Sequence, residues 1–364
     1  MKIKLTKTNM VSQRIDFLDG IRGWASLMVL FSHLIACFLI YSTDLINIHF
    51  VRFICDGKFA VYVFFVLSGI VLSERYMDGK GLHVAAVARY FRLFFPVAFV
   101  TIAAYVMLKL NMFSNAEAAL HIAEPARKWL GSFYTFDASL TGAAHFSILD
   151  VFFAYDANKS YNSSLWTMQI ELIGSMVVFS FIGILGKADN KSVPLLILLA
   201  VLWKYSPNIF CFGVGVALPK LASRCEKMLN RVSCELISFS IFLIVIVARS
   251  INSQYGERAD IAMASVLIFS VMISDVFKKL FSSGLSNYLG KISFQLYLVQ
   301  ICVICSWTSY WFVKMNHEGM LDPHDVYFIL LSSLALCIAI AHITLPIDRF
   351  GARISKKVAL RIIS

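Results

Sequence analysis

The stretch RIDFLDGIRGWASLMVLFSHLIACFLI, residues 14–40, decides the class of fold. It begins with polar and charged residues and then stays apolar for long enough to cross a lipid bilayer. One ionisable residue, His33, interrupts the apolar run. Because such a side chain is costly at membrane depth unless it is paired or wet, His33 is a candidate functional residue.

Arg22 precedes His33 by eleven residues, and eleven steps of about 100° return an α-helix to nearly the same face. The two residues would then lie roughly 16 Å apart along the helix axis. This spacing predicts a cation at the mouth of a cavity and a general base about three turns deeper, both facing the same space.

The composition excludes an ordinary soluble protein, because 59% of the 364 residues are hydrophobic and only 15% are charged. Apolar segments of about 17 to 25 residues recur along the chain. We therefore expect an all-α, polytopic integral membrane protein with about ten transmembrane helices and no soluble domain. The expected spans are 21–40, 58–74, 93–110, 164–186, 193–204, 207–219, 234–249, 259–277, 289–312 and 325–347.

The net charge of +11 is distributed unevenly between the two sides of that arrangement. The side that carries the N-terminus holds 23 of the 33 Lys and Arg residues. This asymmetry predicts that both termini are cytoplasmic, in a bacterial-type inner membrane, and that the cations face lipid headgroups rather than nucleic acid. The expected divisions are a cytoplasmic arm at 1–20, a membrane domain at 21–347 and a basic cytoplasmic tail at 348–364.

The longest segment outside the expected spans is 111–163, on the extracytoplasmic side. Its apolar part, 145–155, is too short to cross a bilayer and is expected to re-enter the membrane or lie on its surface. Glu171 follows inside the fourth span, about 11 Å from its outer end, while His33 is about 10 Å from its own. Equal depth predicts that they share a water-filled cavity, with a buried structural Glu–Arg or Glu–His pair as the alternative.

Two further polar patterns have ordinary structural interpretations. Arg89 and Arg92 share a helix face just before Pro96, as basic residues at a cytoplasmic boundary often do. The dipeptide at Ser68 and Gly69 is typical of two helices in close contact.

The ninth span contains polar residues and thiols. Tyr297 and Gln300 lie on one face, where helix–helix hydrogen bonding and substrate contact are equally good interpretations. Cys302 and Cys305 have the spacing of some metal ligands, but they lie within an apolar helix. We expect neither a metal site nor a disulfide framework.

Five segments, taken together and in this order, resemble the membrane-bound acyltransferase-3 family. They extend over about 290 residues, and the set is far more specific than any one member. They are IDFLDGIRGWASLMVLFSHL (15–34), FFVLSG (64–69), ARYFRLFFP (88–96), SLWTMQIEL (164–172) and LGKISFQLYLVQ (289–300).

The resemblance implies an enzyme that takes an acyl group, usually acetyl, from cytoplasmic acyl-CoA and transfers it to a hydroxyl, typically on a sugar of an envelope or exported glycan or glycolipid. The donor is a substrate, and no permanently bound cofactor is implied. Arg22 and His33 match the family's Arg-x10-His motif, and Arg89 and Arg92 match its Arg-x-x-Arg motif. The chain departs from the family pattern at Ile70, at Thr167 and Met168, and at Gln300.

Acyl transfer to an alcohol needs a base for the hydroxyl proton, and an imidazole suits that role near neutral pH. We therefore predict His33 as the base, with Glu171 orienting it. Guanidinium groups suit phosphate oxygens, which predicts that Arg22, Arg89 and Arg92 bind the donor. The residues expected to orient or support the site are Asp19, Ser68, Trp166, Tyr297 and Gln300.

Other interpretations stay open from the sequence alone. A proton-coupled transporter would use His33 and Glu171 as relay residues. A non-catalytic membrane scaffold would leave His33 replaceable by Gln or Asn. Within the enzyme interpretation, the acyl group could be longer than acetyl and the acceptor a lipid or small molecule. Transfer could be direct or pass through an acyl-histidine.

Overall fold

The computed structural model describes residues 16–39, 47–185, 191–316 and 321–363. Within these ranges every regular element is helical. The α-helices are α1 (Asp16–Phe31), α2 (His49–Ile54), α3 (Gly57–Tyr76), α4 (Leu82–Lys109), α5 (Asn115–Leu120), α6 (Ala126–Gly131), α7 (Leu140–His145), α8 (Val151–Phe153), α9 (Trp166–Leu185), α10 (Ser192–Tyr205), α11 (Pro207–Met228), α12 (Arg231–Ile251), α13 (Glu257–Ile273), α14 (Asp275–Phe281), α15 (Gly284–Val303), α16 (Ser309–Met315), α17 (Pro323–Ile343) and α18 (Leu345–Ile363).

Seven helical segments in the described residues are long and apolar enough to cross a membrane. They are Asp16–Phe38, Gly57–Tyr76, Leu82–Lys109, Ser163–Leu185, Arg231–Ile251, Gly284–Met315 and Pro323–Ile363. The pair α13 and α14, bent by 102°, would make an eighth. The chain is thus a helical protein with several membrane-crossing helices, but the expected ten spans are not confirmed.

If the bent pair counts as one span, two of the ten expected crossings are still missing, and they correspond to α10 and α11. The helix α10 has 14 residues, or about 21 Å of length, which is short of a hydrocarbon core about 30 Å thick. The helix α11 is longer, but its second half carries charged side chains. These are Lys220, Arg224, Glu226 and Lys227.

The central contact of the fold joins α1 to α15. A Cβ on Gly23 would lie 2.5 Å from the backbone nitrogen of Gly290, and one on Gly20 would lie 3.0 Å from Cβ of Ser286. Glycine at these positions is what lets the two backbones approach. The residue numbers of these two contacts, Gly20 with Ser286 and Gly23 with Gly290, increase together along both helices. The helices α1 and α15 therefore run parallel.

A second close contact joins α3 to α11. A Cβ on Gly215 would lie 2.7 Å from Cα of Gly69, and one on Gly69 would collide with the backbone of Phe212. The expectation that the dipeptide at Ser68 and Gly69 permits close helix packing is confirmed.

Two hydrophobic clusters form the interior, and α1 contributes to both. One cluster includes Leu18, Ala25 and Val29 and joins α1 to α3, α4, α9, α11 and α13. The other includes Leu30 and Leu34 and joins the end of α1 to α5, α6, α15 and α17. The helix α1, which carries Arg22 and leads to His33, therefore packs against both hydrophobic clusters.

The apolar segment Leu140–Phe153 of the long loop packs alongside α4. The Tyr90 hydroxyl donates a hydrogen bond to the Ile148 carbonyl at 2.6 Å, and its ring contacts Phe152. Tyr90 lies nineteen residues, about 28 Å, from the end of α4 at which the loop begins. Of the two alternatives for this segment, the structure therefore favours re-entry.

The helix α1 passes directly into a π-helical segment, Ser32–Phe38, and a second one, Ile304–Thr308, follows α15. His33 is the second residue of the first segment. The last two of the eleven steps from Arg22 to His33 lie in this wider turn, which rotates His33 away from the position that a regular 100° step predicts. Such insertions occur frequently at functional sites.

The basic tail lies within α18, which packs along α4. Its small residues Gly351, Ser355 and Ala359 are buried at intervals of four, and Gly351 lies against Phe95. The cations of the tail are exposed. The expected N-terminal arm, 1–20, falls mostly outside the described residues.

Candidate active site

The first polar site centres on Glu171, which α9 directs toward α3 and α4. Its carboxylate accepts hydrogen bonds from Arg89 at 2.5 Å and from the Ser68 hydroxyl at 2.9 Å. Arg89 also donates through Nε to the Ser175 hydroxyl at 2.9 Å. Both charged side chains are largely buried, with 16% of Arg89 and 12% of Glu171 exposed. Neutralisation of each charge by the other is what makes that burial tolerable.

Two more arginines surround this pair. Arg92 and Arg22 both lie close enough to Arg89 to interact with it as like charges. Arg22 is bound to Asp19 at 3.1 Å, whereas the Arg92 side chain is exposed. The structure thus brings together all three arginines that the sequence singled out, and we name Arg22, Arg89, Arg92, Ser68 and Glu171 the arginine–glutamate cluster.

The second polar site centres on His33. Its ring stacks on Trp129 of α6, with centroids 5.4 Å apart and planes 26° from parallel. The side chain of Gln300 lies beside the ring. Among the described residues, however, neither Nδ1 of His33 nor Oε1 of Gln300 has a hydrogen-bond partner. We name His33, Trp129 and Gln300 the histidine site.

The two sites lie at different depths. Gly57 of α3 touches Ser32, the neighbour of His33, whereas Ser68 of the same helix binds Glu171. Eleven residues of helix separate these two positions on α3, which corresponds to about 16 Å along its axis. The predicted equal depth of His33 and Glu171 is wrong.

The error has a physical cause. The depth of Glu171 was counted from the outer end of its helix, as if α9 began at the membrane surface. In the structure the hydroxyl of Thr167, the second residue of α9, is 3.0 Å from that of Tyr297. Tyr297 lies three residues before Gln300 on α15, so α9 begins about one turn deeper than the histidine site.

Of the other residues predicted to support the site, Tyr297 and Gln300 are buried and Trp166 is exposed. The buried Tyr297 hydroxyl donates to the Ser164 carbonyl at 2.8 Å, and the Gln300 amide donates to the Tyr297 carbonyl at 3.1 Å. Tyr297 thus fastens the start of α9 to α15. Trp166 is exposed and meets only the edge of Phe65 among the ring contacts described.

Trp129 was not predicted, because no local pattern signals it. Arg249 was not predicted either, and it is fully buried and bound to both Asp56 and Asp260. A charged residue near the end of an apolar run was the available signal, because a buried charge requires a partner. This group of three charged side chains links α12 and α13 to the start of α3, and we assign it a structural role.

No cluster of three or more His, Cys, Asp or Glu side chains in the described parts of the chain is arranged to hold a metal ion. The cysteines are present as free thiols. Cys302 and Cys305 are both buried, and the Cys302 sulfur lies 4.0 Å from the Tyr134 hydroxyl.

Comparison with known proteins adds independent information. Residues 15–342 match the family model described as an acyltransferase domain. The O-acetyltransferase PaAT-1 of Phomopsis amygdali is 23% identical over 359 aligned residues, which cover 78% of this chain and 71% of that protein. No solved structure matches the chain significantly.

Proposed function

Because the chain belongs to the acyltransferase-3 family, we propose that it transfers an acetyl group from acyl-CoA to a hydroxyl on a sugar of an envelope or exported glycan. The proposed donor side is cytoplasmic and the proposed membrane is an inner membrane. The parallel arrangement of α1 and α15 requires only an odd number of crossings between them, and the expected spans have seven there.

The arginine–glutamate cluster supports donor binding. Its three guanidinium groups exceed the carboxylates of Glu171 and Asp19, which leaves a net positive site for phosphate oxygens. Arg89 is held on two sides by Glu171 and Ser175, so its geometry is fixed before a ligand arrives. Arg92 is exposed, so its guanidinium is accessible to a ligand.

This geometry changes the role proposed for Glu171. From the sequence, Glu171 was expected to orient His33, but its carboxylate is bound to Arg89 and Ser68 at a different depth. We therefore assign it to holding Arg89.

His33 is the proposed base. It takes the proton of the acceptor hydroxyl while that oxygen attacks the thioester carbonyl carbon. The new C–O bond forms, the C–S bond breaks, and the released CoA thiolate takes the proton back from the imidazolium. In the two-step alternative the imidazole itself attacks first, and the acceptor then displaces it from an acyl-histidine.

The observation that carries the proposal is that the two sites contact α3 at positions eleven residues apart, a difference in depth of about 16 Å, which the extended arm of an acyl-CoA can cover. The test uses purified protein in nanodiscs with acetyl-CoA labelled in the acetyl group. Acyl transfer or CoA release that depends on the protein supports an enzyme. A transporter would move protons or solute across vesicles without consuming acetyl-CoA, and that result would replace the proposal.

A further inference from the structure

Two buried polar atoms at the histidine site have no partner in the described chain: Nδ1 of His33 and Oε1 of Gln300. Gln300 is fully buried, and its side chain faces the His33 ring at the limit of hydrogen-bonding reach, but the contact lacks the geometry to satisfy either atom. A buried polar group left unpaired is destabilising, because it has given up its hydrogen bonds to water. Two such groups side by side indicate a place where a ligand supplies the missing hydrogen bonds.

The wall opposite α15 belongs to the long loop. Residues 113–134, which we name the α5–α6 hairpin, begin with a hydrogen bond from the Ser114 amide to the Cys305 carbonyl at 2.9 Å. The buried Asn115 amide donates to the carbonyls of Leu130 and Phe133 at 3.0 and 3.2 Å. These bonds close the hairpin at its base and fix it against the segment that follows α15.

The hairpin places Trp129 over His33. The two rings stack, and Phe133 meets the Trp129 ring edge-on at 5.0 Å. Trp129 is only half-buried, so its outer part is accessible while its inner face covers the imidazole. A group that approaches His33 from the loop side must therefore pass Trp129.

We propose that His33, Gln300 and Trp129 form the acceptor site, that it takes a vicinal diol, and that Trp129 covers it until the acceptor enters. One hydroxyl of the diol donates to His33 and is the one that is acylated. Its neighbour donates to Oε1 of Gln300, which as a carbonyl oxygen can only accept. The inference rests on the proposed function, because it assigns the acceptor half of that reaction.

The cover has a chemical purpose in such a reaction. Water at the imidazole would divert the acyl group from transfer to hydrolysis, and exclusion of water prevents that side reaction. An indole ring stacked on the base excludes water, and it can move aside when a ring-shaped acceptor offers a comparable surface.

The cover is tested by the rate at which diethyl pyrocarbonate modifies His33, read by mass spectrometry on protein in nanodiscs. Trp129→Ala should raise this rate about tenfold, equivalent to removal of a contact worth 1.4 kcal/mol, and Trp129→Phe should raise it less. Trp203→Ala is the matched control, since Trp203 is also half-buried and meets a phenylalanine ring edge-on, as Trp129 meets Phe133. An unchanged rate in Trp129→Ala overturns the cover.

The diol site is tested by protection of His33 in the same measurement. Cis-1,2-cyclohexanediol should protect the parent about two- to tenfold better than cyclohexanol, the worth of one hydrogen bond. Gln300→Leu should abolish that difference. Equal protection by both alcohols, or no protection, overturns the diol assignment.

Neither measurement needs turnover, so the outcomes separate two failures. If modification and protection behave as expected but labelled acetyl-CoA is not consumed, the site binds a diol and the proposed function fails. If acetyl transfer proceeds while the protection differences are absent, the proposed function stands and the acceptor lies elsewhere.

Discussion

The arginine–glutamate cluster and the histidine site are opposite in the way their polar groups are satisfied. In the cluster, Glu171 receives bonds from Arg89 and Ser68, and Arg89 is also bound to Ser175. At the histidine site, polar atoms of His33 and Gln300 are buried without partners in the described chain. The difference indicates that the cluster is built to hold a fixed geometry, whereas His33 is held by ring stacking and keeps its hydrogen-bonding capacity for a ligand.

The largest effect is expected from His33→Ala. Removal of a general base lowers the rate about 10²- to 10⁴-fold, and membrane abundance should be preserved because a small apolar residue is tolerated in a lipid environment. The measurement is acetyl transfer by purified, folded variant. His121→Ala, at an exposed position of the long loop, is the control. Activity of His33→Ala within about threefold of the parent, well short of that range, would remove His33 from the mechanism.

The next largest effect concerns the buried ion pair. Arg89→Ala leaves the Glu171 carboxylate without its cation, and a broken buried pair costs about 3–5 kcal/mol of stability. Thermal denaturation in nanodiscs should show this loss. The double variant Arg89→Ala, Glu171→Gln should recover part of it, because no uncompensated charge is left. If the double variant is as unstable as the sum of the single variants, the two side chains do not act as a pair.

The sequence identified this cluster because charged residues inside apolar helices are unusual and need partners. Arg89, Arg92 and Glu171 stood out for that reason, and few other charged residues were available to pair with them. The alternative of a structural Glu–Arg pair described the observed contact correctly. The helical class also followed from composition alone, since apolar segments of spanning length leave few other folds available.

What could not be predicted depends on contacts between distant residues. The depth of α9 is set by the packing of Leu140–Phe153 against α4 and α9 and by the bond between Thr167 and Tyr297, and neither leaves a local pattern. The π segment at His33 likewise follows an apolar sequence that would suit an ordinary α-helix. Trp129 reaches His33 only because Asn115 closes the hairpin across fifteen residues.

A smaller effect is expected from Arg92, and it separates donor binding from stability. Arg92 is exposed, so Arg92→Ala should leave the thermal transition unchanged while it raises the KM for acetyl-CoA about tenfold, the loss of one charge-assisted contact. Arg92→Lys should be intermediate, because it keeps the charge but loses the planar fork. Arg75→Ala, also an exposed cation, should have no effect. Equal KM values in all four proteins would take Arg92 out of the donor site.

The smallest effect should come from Ser68→Ala, and it sharpens the comparison most directly. Ser68 supplies one of several bonds to Glu171, whose charge stays paired with Arg89 when the hydroxyl is removed. The expected loss is therefore that of a single hydrogen bond, about 1 kcal/mol, with activity reduced only a few-fold.

Ser73→Ala is the matched control on the same helix, because among the described residues its hydroxyl bonds only to the Ile70 carbonyl, one turn earlier. It should be nearly neutral in both stability and rate. Redundant contacts make the cluster tolerant of losing one donor, whereas the histidine site has a single base and no substitute for it. A loss of activity in Ser68→Ala as large as that in His33→Ala would show that Glu171 does more than hold Arg89 in place.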